Sequence, residues 1–406
     1  MKVLIADKFE KVGVDGLKEL GCEVIMQPEL TADQLPDAVR SVDPAILIVR
    51  GTKVSAAALA AGPSLGLVIR AGAGIDTIDV AAASARGIFV SNCPGRNSLA
   101  VAELALGLLL SCDRRIPDQV ADLRAGRWQK GEYSKARGLY GRTLGIVGLG
   151  QIGREIAKRA QAFGMRVAAW SRNLTIEEAA RIGVEYCQTP MDVARVSDAV
   201  SINVASTAET RHLVNEEFLA AMRPGAYLIN TSRGTVVDQP ALIRAIREKG
   251  IRAGLDVFGQ EPAGPSAEFT DPIVQEPGVY GTHHVGASTE QAQVAIAHEV
   301  LRIVGAFKET GEVPNCVNRL AKSAARYVLS VRHQNRPGVL AHVFRVLADR
   351  QVNVEEVENI IYHGAQATLA RVHLDSLPDA AAVEAIRGGN EHIISVDLTA
   401  LDGRNG

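Results

Sequence analysis

Aromatic residues make up only 4% of this 406-residue chain, its five cysteines are scattered, and neither sign of charge prevails, the formal net charge being −2. Each shortage excludes something. Without a basic surplus there is no general pull toward nucleic acid or an anionic membrane. Cys22, Cys93, Cys112, Cys187 and Cys316 are odd in number and lack metal-ligand spacing, which points to reduced thiols in a cytoplasm and to no metal site. Long hydrophobic runs are missing too. The longest, Ser98 to Cys112, carries Glu103 and is shorter than a membrane span, so it reads as a buried helix. The N-terminal run Val3-Leu4-Ile5-Ala6 stops at Asp7 and Lys8, too short for a secretory leader. With 47% apolar residues the chain can still bury several cores, and its length suggests two to three domains.

What the chain does have is a glycine turn in a telling context. Leu144-Gly145-Ile146-Val147 reads as a buried strand, Gly148-Leu149-Gly150-Gln151-Ile152-Gly153 as a turn, and Arg154 to Phe163 as a helix. In a strand-turn-helix unit Gly148 allows the tight turn, Gly150 lets the backbone approach a pyrophosphate, and Gly153 brings helix and strand together. The helix N-terminus offers N–H groups to the anion. At the end of the next strand, Arg166 to Trp170, the ribose-reading position is Ser171, followed by Arg172, where an acid would repel a 2′-phosphate. Serine and arginine remove that repulsion, so the expected cofactor is NAD(H) or NADP(H).

Three later segments each deliver one residue for acid/base chemistry on a carboxylate substrate. Asn230-Thr231-Ser232-Arg233-Gly234 brings Arg233, a planar cation that can hold a carboxylate by two parallel hydrogen bonds. Thr282-His283-His284-Val285-Gly286 brings His284, whose imidazole can give a proton to a ketone oxygen or take one from a hydroxyl. Leu255-Asp256-Val257-Phe258-Gly259-Gln260-Glu261-Pro262 brings Glu261, which would fix the tautomer of that imidazole. All three follow apparent strand ends of one open sheet, where ligands bind in α/β folds.

From about Met1 to Asn318 the chain resembles the D-isomer-specific 2-hydroxyacid dehydrogenases, most closely their phosphoglycerate-oxidising members. The glycine turn, Asn-x-x-Arg-Gly, Leu-Asp-Val-Phe-x-x-Glu-Pro and His-x-Gly-Ala-Ser-Thr occur in family order. The resemblance implies a catalytic trio of Arg233, Glu261 and His284. It also implies cofactor contacts at Gly148, Gly150, Gln151, Ile152, Gly153, Ser171, Arg172, Val204, Thr231 and Asp256, with Thr231 and Asp256 at the nicotinamide end. Where this chain has His283 the family usually has proline, and His284 is preferred for its register with Gly286. The helix Ser98 to Cys112 would lie at a dimer interface.

The first 97 residues carry the substrate clues. Gly72-Ala73-Gly74 follows a strand and can present N–H groups to a carboxylate, and Arg50, Lys53, Arg70 and the later Lys130 supply the cations that a phosphorylated substrate needs at a second anion site. The expected substrate contacts are therefore Arg50, Lys53, Arg70, Ala73, Gly74 and Lys130. After Asn318 the pattern changes to strand, helix, two strands, helix, strand, opened by His333-Gln334-Asn335-Arg336-Pro337-Gly338, and resembles an ACT regulatory domain. By that resemblance His333, Asn335 and Asn353 would contact an amino acid such as L-serine.

The fold expected is α/β: two doubly wound parallel-sheet domains and a C-terminal βαββαβ domain. Residues 1–97 with 288–318 form the substrate-binding domain, 98–287 the dinucleotide-binding domain, 319–325 a connector and 326–402 the ACT-like domain. The function implied is hydride transfer between nicotinamide and D-3-phosphoglycerate/3-phosphohydroxypyruvate, the entry to L-serine biosynthesis, in a cytoplasmic homo-oligomer, dimer or tetramer. A hydroxypyruvate or glyoxylate reductase and a catalytically silent amino-acid sensor are the alternatives.

Overall fold

A computed structural model describes residues 1–262, 266–320 and 323–401. Within the chain two compact units form, Met1–Asn318 and Arg319–Gly406. The expected connector 319–325 and the expected end of the last domain at residue 402 fall partly outside the described residues.

Unit 1 contains two parallel sheets. The first joins β1 (Lys2–Ile5), β2 (Glu23–Met26), β3 (Ile46–Val49), β4 (Leu67–Arg70) and β5 (Phe89–Asn92) in the order β2-β1-β3-β4-β5. All four residues of β3 are buried because helices cover both faces, which is why the strand reads as an unbroken apolar run and not as an alternation. The second sheet joins β6 (Thr143–Val147), β7 (Arg166–Trp170), β8 (Glu185–Tyr186), β9 (Ala199–Ile202), β10 (Tyr227–Asn230), β11 (Arg252–Leu255) and β12 (Val279–Gly281) in the order β12-β11-β10-β9-β6-β7-β8. The two-residue β8 was not legible in the sequence: its Glu185 and Tyr186 are exposed, so no buried periodicity marks it.

Two helices tie the sheets together. Ser98–Arg114 leaves the first sheet and packs on β10, β11 and the helix Gln151–Ala162, with Ala102, Ala105, Leu106 and Leu109 in the core. Glu290–Thr310 comes back, capped by the Thr289 hydroxyl at its start and by Gly311 (φ 76°) at its end. Ile296, Val300, Ile303 and Val304 lie on one face of it and pack on Val3, Ile5, Ile48 and Ile69 of the first sheet. Each such fully buried aliphatic side chain contributes about 1.5–3 kcal/mol, enough to fix the return of the chain to its first layer. Among the described residues no helix is long and apolar enough to cross a membrane.

Unit 2 is a four-stranded antiparallel sheet, β13 (Tyr327–Gln334), β14 (Val354–Ile361), β15 (Ala367–Leu374) and β16 (Ile393–Ala400), in the order β14-β15-β13-β16. Helices Val339–Asp349 and Ala380–Gly388 intervene, completing βαββαβ. Leu329, Val331, Val372 and Val396 pack against Val343, Leu347 and Ile386 to form its core.

Candidate active site

Parallel strands bring their C-terminal ends to one side, and in unit 1 a cleft of ≈ 410 Å³ opens there. Arg70 at the end of β4 and Ala73 to Asp76 beyond it line one side, and Asn203 to Ser206 after β9, Thr231 to Arg233 after β10, Asp256 after β11 and His284 after β12 line the other. Segments separated by more than 200 residues thus meet in one space.

The loop that carries His284 is held by a buried carboxylate. Asp256 accepts hydrogen bonds from the Thr282 hydroxyl (2.6 Å) and from the Val285 and Gly286 amides (2.9 Å each), while the His284 amide donates to the Asp256 carbonyl at 2.8 Å. The family resemblance implies Asp256 at the nicotinamide; it does line the cleft, and its three carboxylate bonds hold the loop. His284 itself is left-handed (φ 53°), a conformation that a non-glycine residue keeps only where its surroundings enforce it. Its Nδ1 lies 2.7 Å from Glu261 Oε2, and the other oxygen of Glu261 accepts the Phe258 amide at 3.0 Å. Burial pushes the Glu261 carboxyl upward, but the bonds from His284 and Phe258 outweigh it and hold the group below the usual carboxylate range. Glu261 stands behind the imidazole and does not line the cleft. His283 is exposed and lines only a neighbouring hollow, with Phe258 and Phe269, which His284 and Glu261 also border.

Arg233 reaches across the cleft. Its Nε and Nη2 donate to the two oxygens of Asp76 at 3.2 and 2.9 Å, and Nη1 donates to the Ser232 carbonyl at 2.8 Å. Beside it, burial foremost and the neighbouring Arg233 next lower the pKa of Arg70, whose Nε is buried without a hydrogen-bond partner. Two cations and an unpartnered N–H in one cleft suit an anion.

The glycine turn fits a dinucleotide. Gly148 has φ 97°, and a Cβ there would stand 2.6 Å from the Asn203 carbonyl; a Cβ on Gly153 would stand 2.3 Å from the Gly148 carbonyl. Around Gly150 there is open space, at the N-terminus of the twelve-residue helix Gln151–Ala162. Thr231 Oγ1 and Asn203 Oδ1 are buried without partners and, with Ile152 and Val204, line the cleft. The Gln151 side chain turns away, against Gly95. Ser171 and Arg172 follow β7 outside the cleft, and Arg172 shares its field with Glu209, a carboxyl held below its usual range first by the Thr207 hydroxyl, then by its own backbone amide, and least by Arg172.

Of the expected substrate contacts, Arg70, Ala73 and Gly74 line the cleft, and Arg50, Lys53 and Lys130 do not. Arg50 donates to the Ser288 hydroxyl at 3.1 Å, and its loop is anchored by Asp7. Lys53 and Lys130 are exposed. Asp76, Asn97, Asn203 and Ser232 line the cleft without having been singled out in the sequence. Asn203 and Ser232 sit just past strand ends and were findable by that position; Asp76 and Asn97 carry no such signal.

In unit 2 the three expected regulatory residues do not converge within one chain. His333 is 3% exposed, with Nε2 2.8 Å from the Thr368 hydroxyl and Nδ1 2.7 Å from the Gln334 carbonyl, so its ring nitrogens are engaged inside the sheet. Asn335 pairs with Ala365 and Gln366 before β15 begins, whereas Asn353 pairs with Glu355 and with Asp375 after β15 ends. Eight residues of strand, about 25 Å, separate the two amides.

Comparison with known proteins agrees with this geometry. Residues 106–286 match the family described as D-isomer specific 2-hydroxyacid dehydrogenase, NAD binding domain, and residues 327–387 match the ACT domain. A D-3-phosphoglycerate dehydrogenase of Methanocaldococcus jannaschii is 35% identical over 90% of this chain and 68% of its own length. Another, from Synechocystis, is 38% identical over 74% of this chain, which spans about half (52%) of that relative. Among solved structures, an NADPH-dependent glyoxylate/hydroxypyruvate reductase of Sinorhizobium meliloti in complex with NADP and malonate superposes with a TM-score of 0.68 at 32% identity, covering 79% of this chain and 99% of its own.

Proposed function

We propose that this chain, which belongs to the D-isomer specific 2-hydroxyacid dehydrogenase family, interconverts D-3-phosphoglycerate and 3-phosphohydroxypyruvate as the entry to serine synthesis. It is a nicotinamide-dependent dehydrogenase with an ACT domain. The observation that carries the substrate reading is the pair of guanidinium groups in one cleft: Arg233, on the same wall as the imidazole, and Arg70, with a buried Nε left unpartnered.

A guanidinium has five N–H groups. Three of those on Arg233 go to Asp76 and Ser232, leaving two for the substrate carboxylate. Held there, the substrate presents its C2 oxygen to His284. With Nδ1 donating to Glu261, Nε2 is the nitrogen that gives a proton to the oxygen in reduction or takes it in oxidation. Glu261 stabilises the imidazolium so formed. Arg70 takes the second anion, the phosphate. Gly148, Gly150, Gly153 and the helix start at Gln151 would hold the pyrophosphate, and Ile152, Val204, Thr231 and Asp256 the nicotinamide half; the bound nicotinamide supplies or accepts the hydride. Ser171 and Arg172 admit either coenzyme, Glu209 moderating the pull of Arg172 on a 2′-phosphate.

The test is a steady-state comparison of phosphohydroxypyruvate, hydroxypyruvate and glyoxylate, each with NADH and NADPH, for the wild type and Arg70→Ala. Losing a charge-assisted contact to phosphate should lower kcat/KM for phosphohydroxypyruvate about tenfold or more and leave hydroxypyruvate within about twofold. Equal losses for both favour a hydroxypyruvate or glyoxylate reductase, the reading supported by the Sinorhizobium likeness.

The finer roles belong to the same proposal. The enzyme is cytoplasmic, a reading supported by five cysteines without disulfides. L-serine is the ligand of the ACT unit, and because Asn335 and Asn353 stand at opposite ends of one sheet, a site using both needs two copies, hence a homo-oligomer. Inhibition by L-serine that Asn335→Ala and Asn353→Ala each abolish, together with a dimeric or tetrameric mass, is the expected result.

A further inference from the structure

Asp76 comes from the loop after β4 in the first layer, Arg233 from the loop after β10 in the second, 157 residues later, and the two meet across the cleft in a two-bond pair. Neither group is deeply buried, the side chains being 52% and 27% exposed, so the pair sits at the mouth of the substrate space and not in a core. Space for it is left by Gly74: a Cβ there would stand 2.1 Å from Arg233 Nη2 and 2.8 Å from Asp76 Oδ1. Gly74 does not need a left-handed backbone, so the reason for glycine is this close approach.

The pairing is one-sided. Asp76 takes the edge formed by Nε and Nη2, and the Ser232 carbonyl takes one N–H of Nη1, which leaves one N–H on each terminal nitrogen. Asp76 is also a carboxylate among cations, with Arg70 and Arg233 both in the cleft. We propose that Asp76 is a positioning residue: it holds the Arg233 guanidinium from across the cleft so that its two remaining N–H groups face the substrate carboxylate, and Gly74 is the gap through which it does so. This rests on the assignment of Arg233 as the carboxylate anchor. The pair also links the two layers.

A two-by-two set of variants tests this: Asp76→Asn and Gly74→Ala, each in the wild type and in Arg233→Ala, with the 2-oxo acid that serves best as substrate. Asp76→Asn should raise KM for that acid about tenfold while kcat falls less than about threefold, as expected for loss of one charge-assisted contact that orders a binding group. NADH affinity, read by its fluorescence, should stay within about twofold, which a general loss of structure would not allow. Gly74→Ala, displacing the same guanidinium, should show the same split. In the Arg233→Ala background neither substitution should lower kcat/KM further, because residues that act through one group are not additive. Full additivity, or a parallel loss of NADH affinity, overturns the positioning role while leaving the function reading intact. An Arg233→Ala enzyme that keeps its KM and kcat/KM overturns both, and shows itself without any Asp76 variant.

Discussion

The two units of this chain hold the buried polar side chains expected to meet a ligand in opposite ways. In unit 1 the residues expected to act gather at the C-terminal ends of parallel strands, and several polar atoms there, Arg70 Nε, Asn203 Oδ1 and Thr231 Oγ1, are buried with no protein partner. In unit 2 the histidine expected to meet a ligand is buried with its nitrogens already bonded to Thr368 and a backbone carbonyl. A buried polar atom without a partner costs stability, so its presence in a cleft points to a ligand, and a satisfied one points to architecture. Residue type and spacing do not separate these cases. Hydrogen-bond accounting does.

The largest effect expected from this contrast is on catalysis. His284→Ala should lower turnover by roughly 10²–10⁴-fold, the range for losing a general acid/base, while His283→Ala changes it much less. Exchange of the two results would move the reactive imidazole into the neighbouring hollow and break the reading of unit 1.

Next in size is the acid stability of unit 1. Glu299, almost fully buried, accepts from Arg302, Asn315 and Arg96, and these bonds, Arg302 foremost, push its carboxyl down to about 2. Its pKa is lower folded than unfolded, so it stabilises the fold above the unfolded value and that contribution is lost as pH falls from about 4.5 toward 2. Glu299→Gln should cost about 1.5–3 kcal/mol at pH 7, as loss of hydrogen bonds to a charged group does when the arginines left behind reach solvent, and the difference from wild type should shrink below about pH 4.5. Urea unfolding at pH 7 and pH 3 would show it; a pH-independent difference would mean that the charge plays no part.

A smaller effect sharpens the other side of the comparison. His333→Ala should destabilise unit 2 by about 1–3 kcal/mol, because the Thr368 hydroxyl is left buried with its partner gone. Hydrogen exchange in β13 and β15 of the full chain would report it. Unchanged protection together with lost serine inhibition would return His333 to a ligand site.

Smallest is the coenzyme. Ser171→Asp should shift the NADH to NADPH efficiency ratio toward NADH by about tenfold, through repulsion of the 2′-phosphate. A constant ratio would show that the end of β7 does not read the ribose.

Much of this was legible in the chain itself. Apolar runs bounded by turn residues marked the strands around the glycine turn, because a strand covered on both faces must carry that pattern, and β8 escaped because it is two residues long and exposed. The turn Gly148 to Gly153 was readable because Gly148 and Gly153 are each required by a close backbone approach, while Gly150 leaves open space at the helix start. Local sequence also placed His284, Glu261 and Arg233 after strand ends. Most side-chain meetings were decided by tertiary structure alone: Asp76 on Arg233, Arg50 on Ser288, His333 on Thr368. The physical reason is range. Propensity and periodicity act over a few residues, whereas a hydrogen bond forms wherever packing brings donor and acceptor to about 3 Å, whatever their separation along the chain.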